Sequence, residues 1–277
     1  MAKIEIKAPA KLNIGLNIIS KRADGYHNIE TIFYPISIFD NILFEKSESD
    51  SFSCSHPALV HHGNNLIIKA KVILEEEFKT KFPLKIVLEK NIPIGAGMGG
   101  GSSDAASALH SINVLYNLNL SKDQLNHFAL RLGSDVPFFL DPRPSFASGR
   151  GEILSVLGFT IDVPILIVNP RIHISTKWAF DNIKPKIPDR HLNHIFQQEI
   201  DFAKLQGFIT NDFEEVVFNK YPQIAQIKTD MLSRGALFSL LTGSGSTVFG
   251  IFDNETKALE AESHFRQKYF TYLQTNK

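Results

Sequence analysis

The chain has almost none of the features that anchor a protein from outside its own core. Cys54 is its one cysteine, so no disulfide closes within it, and a reducing compartment is the expected setting. No apolar run approaches membrane-spanning length, and Met1-Ala2-Lys3-Ile4-Glu5-Ile6-Lys7 alternates charge where a signal segment would be apolar. Charge of neither sign is in excess, with 29 Lys and Arg against 29 Asp and Glu. A neutral chain has no global pull toward nucleic acid or anionic membrane, so any phosphate site must be local. These absences predict a soluble, cytoplasmic protein that binds neither nucleic acid nor membrane. A monomer or weak homodimer is the expected state, though no feature of the sequence sets it. What the chain does have is core material. Its 277 residues are 43% hydrophobic and include 22 Phe, enough for one large domain or two lobes.

The densest signal is Pro93-Ile94-Gly95-Ala96-Gly97-Met98-Gly99-Gly100-Gly101-Ser102-Ser103-Asp104. Glycines this close leave the backbone bare and able to take positive φ, so successive N–H groups can turn toward one anion. Upstream, Leu84, Ile86 and Leu88 alternate in a strand that Pro93 ends. Downstream, Ser102 or Ser103 is placed to cap a helix over 104–116, rich in small Ala105, Ala106 and Ala108. A strand, a glycine loop and a helix N-terminus form a natural phosphate cradle.

Three phosphate loops compete for this string. A Walker loop needs lysine where Gly101 stands. The dinucleotide pattern G-x-G-x-x-G fits Gly95, Gly97 and Gly100 but needs an acid about 20 residues on, at a strand end. Residues 105–122 hold no Asp or Glu, and Asp123 falls in the capping box Ser121-Lys122-Asp123-Gln124. A nicotinamide oxidoreductase is therefore the disfavoured alternative. A protein kinase would carry H-R-D and D-F-G, and neither string occurs. What remains is a loop without its own lysine, using main-chain amides and serine hydroxyls, or a glycine turn packed for steric reasons.

Elsewhere, 4–8, 12–18, 31–38 and 41–45 read as strands and 65–78 and 122–132 as helices, with Gly133 a stop. The second half restarts near Gly149-Arg150-Gly151. Strands are expected over 153–157, 164–169, 238–242 and 248–252, a helix over 224–232, and no assignment is made for 181–200. The expected division is residues 1–155 and 156–277. Lys11 follows a strand and, taken alone, reads equally as a surface lysine. Asp135 stands just past a helix end, where an acid opposes the helix dipole, which hints at a role; a loop salt bridge is the alternative. His27 reads as a base contact or a solvated side chain. His61-His62 lacks any partner motif for a metal. Gly243-Ser244 sits in Thr242-Gly243-Ser244-Gly245-Ser246-Thr247, which is either a hairpin turn or backbone pressed against a substrate.

Three segments together resemble the motifs of the GHMP kinase superfamily: Pro9-Ala10-Lys11-Leu12-Asn13, residues 93–104, and Leu241-Thr242-Gly243-Ser244-Gly245-Ser246-Thr247. Arg22-Ala23-Asp24-Gly25-Tyr26-His27 and Gly133-Ser134-Asp135-Val136-Pro137-Phe138-Phe139 are similar to the branch that phosphorylates a cytidine diphosphate-linked methylerythritol. The resemblance implies an α+β fold of two-layer α/β lobes, two domains with the active site in the inter-domain cleft. It implies ATP-dependent phosphorylation of the 2-hydroxyl of that small molecule, in the non-mevalonate route to isoprenoid precursors. A homoserine- or mevalonate-type kinase is the nearest alternative. Lys11 and Asp135 are implied as the catalytic pair. Pro93, Ile94, Gly95, Ala96, Gly97, Met98, Gly99, Gly100, Gly101, Ser102 and Ser103 are implied to bind ATP. Asn13, Tyr26, His27, Phe180, Gly243 and Ser244 are implied to bind substrate, with Trp178 a rival for the stacking role of Phe180. Mg²⁺ is implied with ATP. No clear protein carboxylate is found for it, with Ser103 and Asp104 as contributors alongside water.

Overall fold

A computed structural model describes residues 2–59, 65–196 and 200–275. The chain divides into two compact units that are not sequential halves. The first comprises 1–10, 37–92 and 99–142, and the second 11–36, 93–98 and 143–277. Two long paired strands, β1 (Lys3–Lys21) and β2 (His27–Lys46), supply residues to both. Each merges two strands expected from sequence. Residues 9–11 and 39–40, left between strands from sequence, continue the extended chain, because buried residues on both sides hold it there.

In the first unit, β4 (Leu84–Glu89) lies between β3 (Ser51–Cys54), which it pairs in parallel, and the end of β2, which it pairs antiparallel with Phe44 opposite Ile86. Leu84, Ile86 and Leu88 alternate into the core as the sequence predicts. Helix α1 (Leu66–Phe78) precedes β4 and starts where Asn65 accepts the N–H of Ile67 at 2.9 Å. Helix α2 (Gly100–Leu115) packs on α1, and Ala105, Ala106 and Ala108, all buried, let the two approach closely. Helix α3 (Lys122–Leu132) opens on the predicted Ser121–Gln124 capping box. The five-residue α4 (Val136–Leu140) follows and packs on α2 and α3.

In the second unit, β5 (Ser145–Ser148), which was not anticipated, pairs with β2, placing Thr31 opposite Ala147, and with β6 (Ile153–Val156). Strand β7 (Ile165–Asn169) is followed by α5 (Thr176–Asn182), α6 (Leu192–Ile195), α7 (Phe202–Leu205), α8 (Phe213–Lys220) and α9 (Pro222–Ser233). Strands β8 (Ala236–Leu241) and β9 (Val248–Phe252), helix α10 (Glu255–Phe265) and β10 (Phe270–Gln274) end the chain. The four strands form an antiparallel sheet ordered β10-β7-β9-β8. Ile224, Ile227 and Met231 are the buried face of α9 and join Phe213, Val217, Phe252 and Phe265 in one core. Burial of each such side chain stabilises by about 1.5–3 kcal/mol.

Candidate active site

Lys11 is no surface lysine: it is 3% exposed on β1. Its backbone N–H donates to Met98 O at 2.9 Å. Its Nζ donates to Asn13 Oδ1 and to Gly97 O at 3.1 Å, and lies 5.0 Å over the Phe33 ring. Asn13 is held in turn. Its N–H donates to Thr242 Oγ1 at 2.9 Å and its Nδ2 to Thr31 Oγ1 at 2.8 Å, while Thr31 donates to Gly15 O at 2.6 Å. The second unit thereby gathers the first motif, the start of the glycine loop and the third motif around one ammonium. Main-chain and amide oxygens help to orient that charge.

Gly95 and Gly97 both take positive φ, 66° and 78°. A Cβ on Gly97 would lie 2.2 Å from Thr242 O, so the loop packs directly on the backbone of the third motif. Ala96 and Met98 turn inward, and Ile94 is 41% exposed. Thr247 N–H reaches Ala96 O at 3.4 Å, and Thr242 N–H reaches Thr247 O at 3.0 Å across the β8–β9 turn. Asn211 Nδ2 holds Leu241 O and Gly243 O, each at 2.8 Å. Ser244 Oγ meets Thr176 Oγ1 at 3.2 Å. The third motif is thus both a hairpin turn and a backing for the glycine loop.

The rest of the loop belongs to the first unit. Helix α2 begins at Gly100, inside the glycine run, four residues before the expected start. Its N-cap is Gly99, at φ 73° and without a side-chain cap, where Ser102 or Ser103 was expected. Glycine reaches the left-handed region without steric strain, so the helix can start early. Ser102 and Ser103 lie in its first turn. Ser103 is 1% exposed and its Oγ has no hydrogen-bond partner. A buried hydroxyl beside an uncapped helix N-terminus fits a phosphate oxygen.

Asp104 is committed to Lys90, whose Nζ donates to its Oδ2 at 2.8 Å. Burial pushes the Asp104 carboxyl up to about 7; Lys90 opposes the rise and Asp40 adds to it. Among the described residues no group of three or more His, Cys, Asp or Glu is placed to hold a metal. His61 and His62 lie outside the described residues. Asp135, also in the first unit, is the N-cap of α4. Asp135 thus stands just past the α3 stop, as the sequence predicts, and also at the start of the short α4, where its side chain makes no cap hydrogen bond.

In the second unit Tyr26 is 53% exposed, with the Arg150 guanidinium 4.7 Å over its ring. His27 is buried and stacks on Phe180 at 5.0 Å and 23°. Burial and then the Lys21 charge hold His27 below the ordinary histidine pKa, against the pull of Asp181, which favours the neutral ring. Trp178 turns to Tyr221, edge-on at 6.1 Å, and beneath Lys220, so Phe180 is the ring brought to His27. Sequence reasoning gave no role to Thr31, Asn169 or Asn211, and took Thr242 only as part of the third motif. Asn169 Nδ2 holds Thr247 Oγ1 at 2.8 Å, beside the Asn211 and Thr242 contacts. Polar residues inside apolar strands were the one available signal, at Thr31, Asn169 and Thr242.

Patterns described as the GHMP kinases N terminal domain and GHMP kinases C terminal match residues 65–141 and 196–271. A relative from Bacteroides fragilis, named 4-diphosphocytidyl-2-C-methyl-D-erythritol kinase, is 41% identical over 90% of this chain and 92% of its own. One of the same name from Chlorobium limicola is 41% identical over 98% and 96%. A crystal structure of 4-(cytidine 5'-diphospho)-2C-methyl-D-erythritol kinase matches with TM-score 0.82 and 31% identity, covering 98% of each chain. Mevalonate kinase from Methanococcus jannaschii shares the fold at TM-score 0.73 and 14% identity, over 100% of this chain and 99% of that one.

Proposed function

The chain belongs to the GHMP kinases, and within them to the 4-diphosphocytidyl-2-C-methyl-D-erythritol kinase family, and we infer that it transfers the terminal phosphate of ATP to the 2-hydroxyl of that cytidyl substrate. The reaction is a step of the non-mevalonate route to isoprenoid precursors. The observation that carries the site reading is the contact of the Lys11 ammonium with Gly97 O, which joins two of the motifs around a buried positive charge.

Phosphoryl transfer asks mainly for positioning and for neutralisation of charge. In this reading the amides from Pro93 to Gly101, with the hydroxyls of Ser102 and Ser103, bind the phosphates of ATP. The positive φ of Gly95, Gly97 and Gly99, the uncapped start of α2 and the unpartnered Ser103 Oγ support that role. Asp135 accepts the proton of the substrate hydroxyl as it attacks. Lys11, held by Asn13, offsets the charge that develops in transfer. Tyr26 and Phe180 flank the cytosine by stacking, and neutral His27 hydrogen-bonds its edge. Asn13, Gly243 and Ser244 complete the substrate contacts.

Mg²⁺ accompanies ATP on phosphate oxygens in this proposal. The side chains do not form a protein cage for it: Asp104 is tied to Lys90, and no ligand cluster converges among the described residues.

No helix among the described residues is long and apolar enough to cross a membrane. A cytoplasmic enzyme, monomeric or weakly dimeric, with no nucleic-acid or membrane partner, completes the proposal. The N- and C-terminal family matches end at 141 and begin at 196, so the proposed sequence boundary at 155/156 lies in the stretch that neither covers. A coupled ADP-release assay tests the activity. ADP should appear with the cytidyl substrate and not with homoserine, mevalonate or galactose. Turnover of one of those three in its place would overturn the substrate assignment.

A further inference from the structure

Three charged side chains of the first unit lie almost wholly out of water on either side of the glycine loop in sequence. The side chain of Asp40, on β2, is 0% exposed, and those of Lys90 and Asp104 are each 5%. Asp40 Oδ1 accepts the N–H groups of Asn91 at 2.7 Å and Ile92 at 2.8 Å. Its Oδ2 accepts from Lys90 Nζ. One carboxylate thus grips all three residues that precede Pro93. The same Lys90 Nζ then crosses to Asp104 Oδ2, on α2 just past its first turn.

Gly100 makes room for this crossing. A Cβ there would stand 2.9 Å from Lys90 Nζ and 3.0 Å from Ile92 Cγ2. The glycine run therefore has a second use besides baring its amides: at its helical end it admits an ammonium group.

Stability alone is a poor account of the cluster. Charges taken out of water recover little net energy, and well-packed apolar residues often serve as well or better. Two carboxylates against one ammonium leave a surplus negative charge under a segment read as an anion site. What a directional ion cluster does supply is a fixed spacing between the elements it joins. We propose that Asp40, Lys90 and Asp104 form a buried staple that sets the distance between the two ends of the glycine loop, making Lys90 and Asp104 positioning residues for nucleotide binding.

The proposal rests on the reading of 93–103 as the phosphate site. The electrostatics agree with it. Burial works against the Lys90 charge, yet the two neighbouring carboxylates more than compensate and hold its pKa above the usual lysine value. The raised pKa of Asp104 lets one proton neutralise the surplus charge near neutrality.

Asp104→Ala is the direct test. Alanine favours helix, and the remaining Asp40–Lys90 pair is charge-balanced. The readouts are KM for ATP, KM for the cytidyl substrate, kcat, and calorimetric affinity for β,γ-imido ATP. Loss of the spacing should weaken both ATP measures by about tenfold or more, since small misplacements at a phosphate cradle are costly. The KM for the cytidyl substrate should stay within about twofold, and Asp104→Asn, which keeps an acceptor for Lys90, within about threefold of wild type in ATP affinity. Unchanged ATP affinity, equal loss for both substrates, or an Asn variant as impaired as Ala would overturn the staple. Lys90→Gln, with a single amide in place of the bridging ammonium, should give the same ATP-specific loss and serves if Asp104→Ala does not fold. An active wild type whose folded variants bind the analogue normally defeats the staple alone. A wild type that turns over no acceptor defeats the functional reading, and analogue affinity still decides the staple.

Discussion

Thr242 Oγ1 accepts the backbone N–H of Asn13 at 2.9 Å, joining two segments 229 residues apart. Asn13 in turn accepts from the Lys11 ammonium. Thr242→Val keeps the shape and removes the acceptor, leaving a buried N–H unsatisfied at a cost of about 1–3 kcal/mol. A lower melting temperature is expected, together with a kcat reduced about tenfold as the Lys11 amine loses its orientation. Thr242→Ser should retain both. Thermal melts and ADP release measure the two effects, and a Val variant equal to wild type in both would remove Thr242 from the site.

Asp135→Asn should lower kcat by about a thousandfold, because a general base acting in the transition state is lost. The melting temperature should change little, since the Asp135 side chain makes no cap hydrogen bond to α4 that the substitution would alter. Steady-state kinetics beside a melt measure this. Near-normal turnover would take Asp135 out of the chemistry.

Phe180→Ala and Tyr26→Ala should raise KM for the cytidyl substrate and leave KM for ATP unchanged. Stacking of a base on an aromatic ring contributes about 1–3 kcal/mol, which corresponds to roughly 5- to 150-fold. Tyr26 is the cleaner case, because its ring is half out in solvent, whereas Phe180 also packs edge-on against Phe213 at 4.9 Å. Equal changes in both KM values would contradict the assignment.

Stability should fall as pH rises from about 4 to about 7. The Asp104 carboxyl titrates at about 7 in the folded chain and near 3.8 when unfolded. Between those values the folded state holds more protons, so unfolding releases one and becomes easier at higher pH. Urea midpoints at pH 5 and pH 8 measure this, and Asp104→Asn, which cannot ionise, should flatten the difference. An Asn profile as steep as that of wild type would place the effect elsewhere.

Local periodicity and turn chemistry are strong enough to be read without the structure in several places. The alternation of Leu84, Ile86 and Leu88, the Ser121–Gln124 box and the strands flanking 243–246 all appear where residue spacing puts them. At 9–11 and 39–40 no strand was assigned from sequence, yet the strands run through, because packing on both faces overrides local preference. The start of α2 was missed for the opposite reason: three consecutive glycines carry no helix signal, and only the packed body of the helix extends it back to Gly100.

The order of the three motifs along the chain, its neutral charge and its lone cysteine are properties of the string itself, and family membership and reaction class follow from the motifs. Which residues hold the motifs in place follows from the fold. Thr31, Asn211 and Thr242 matter only because tertiary packing brings their short side chains to Asn13 and the third motif. Likewise, Asp40, Lys90 and Asp104 become a unit only once β2, the residue that follows β4 and the N-terminal part of α2 are packed together. Hydrogen bonds and ion pairs act over about 3 Å, and residues 50 or more apart in the chain come that close only through tertiary packing.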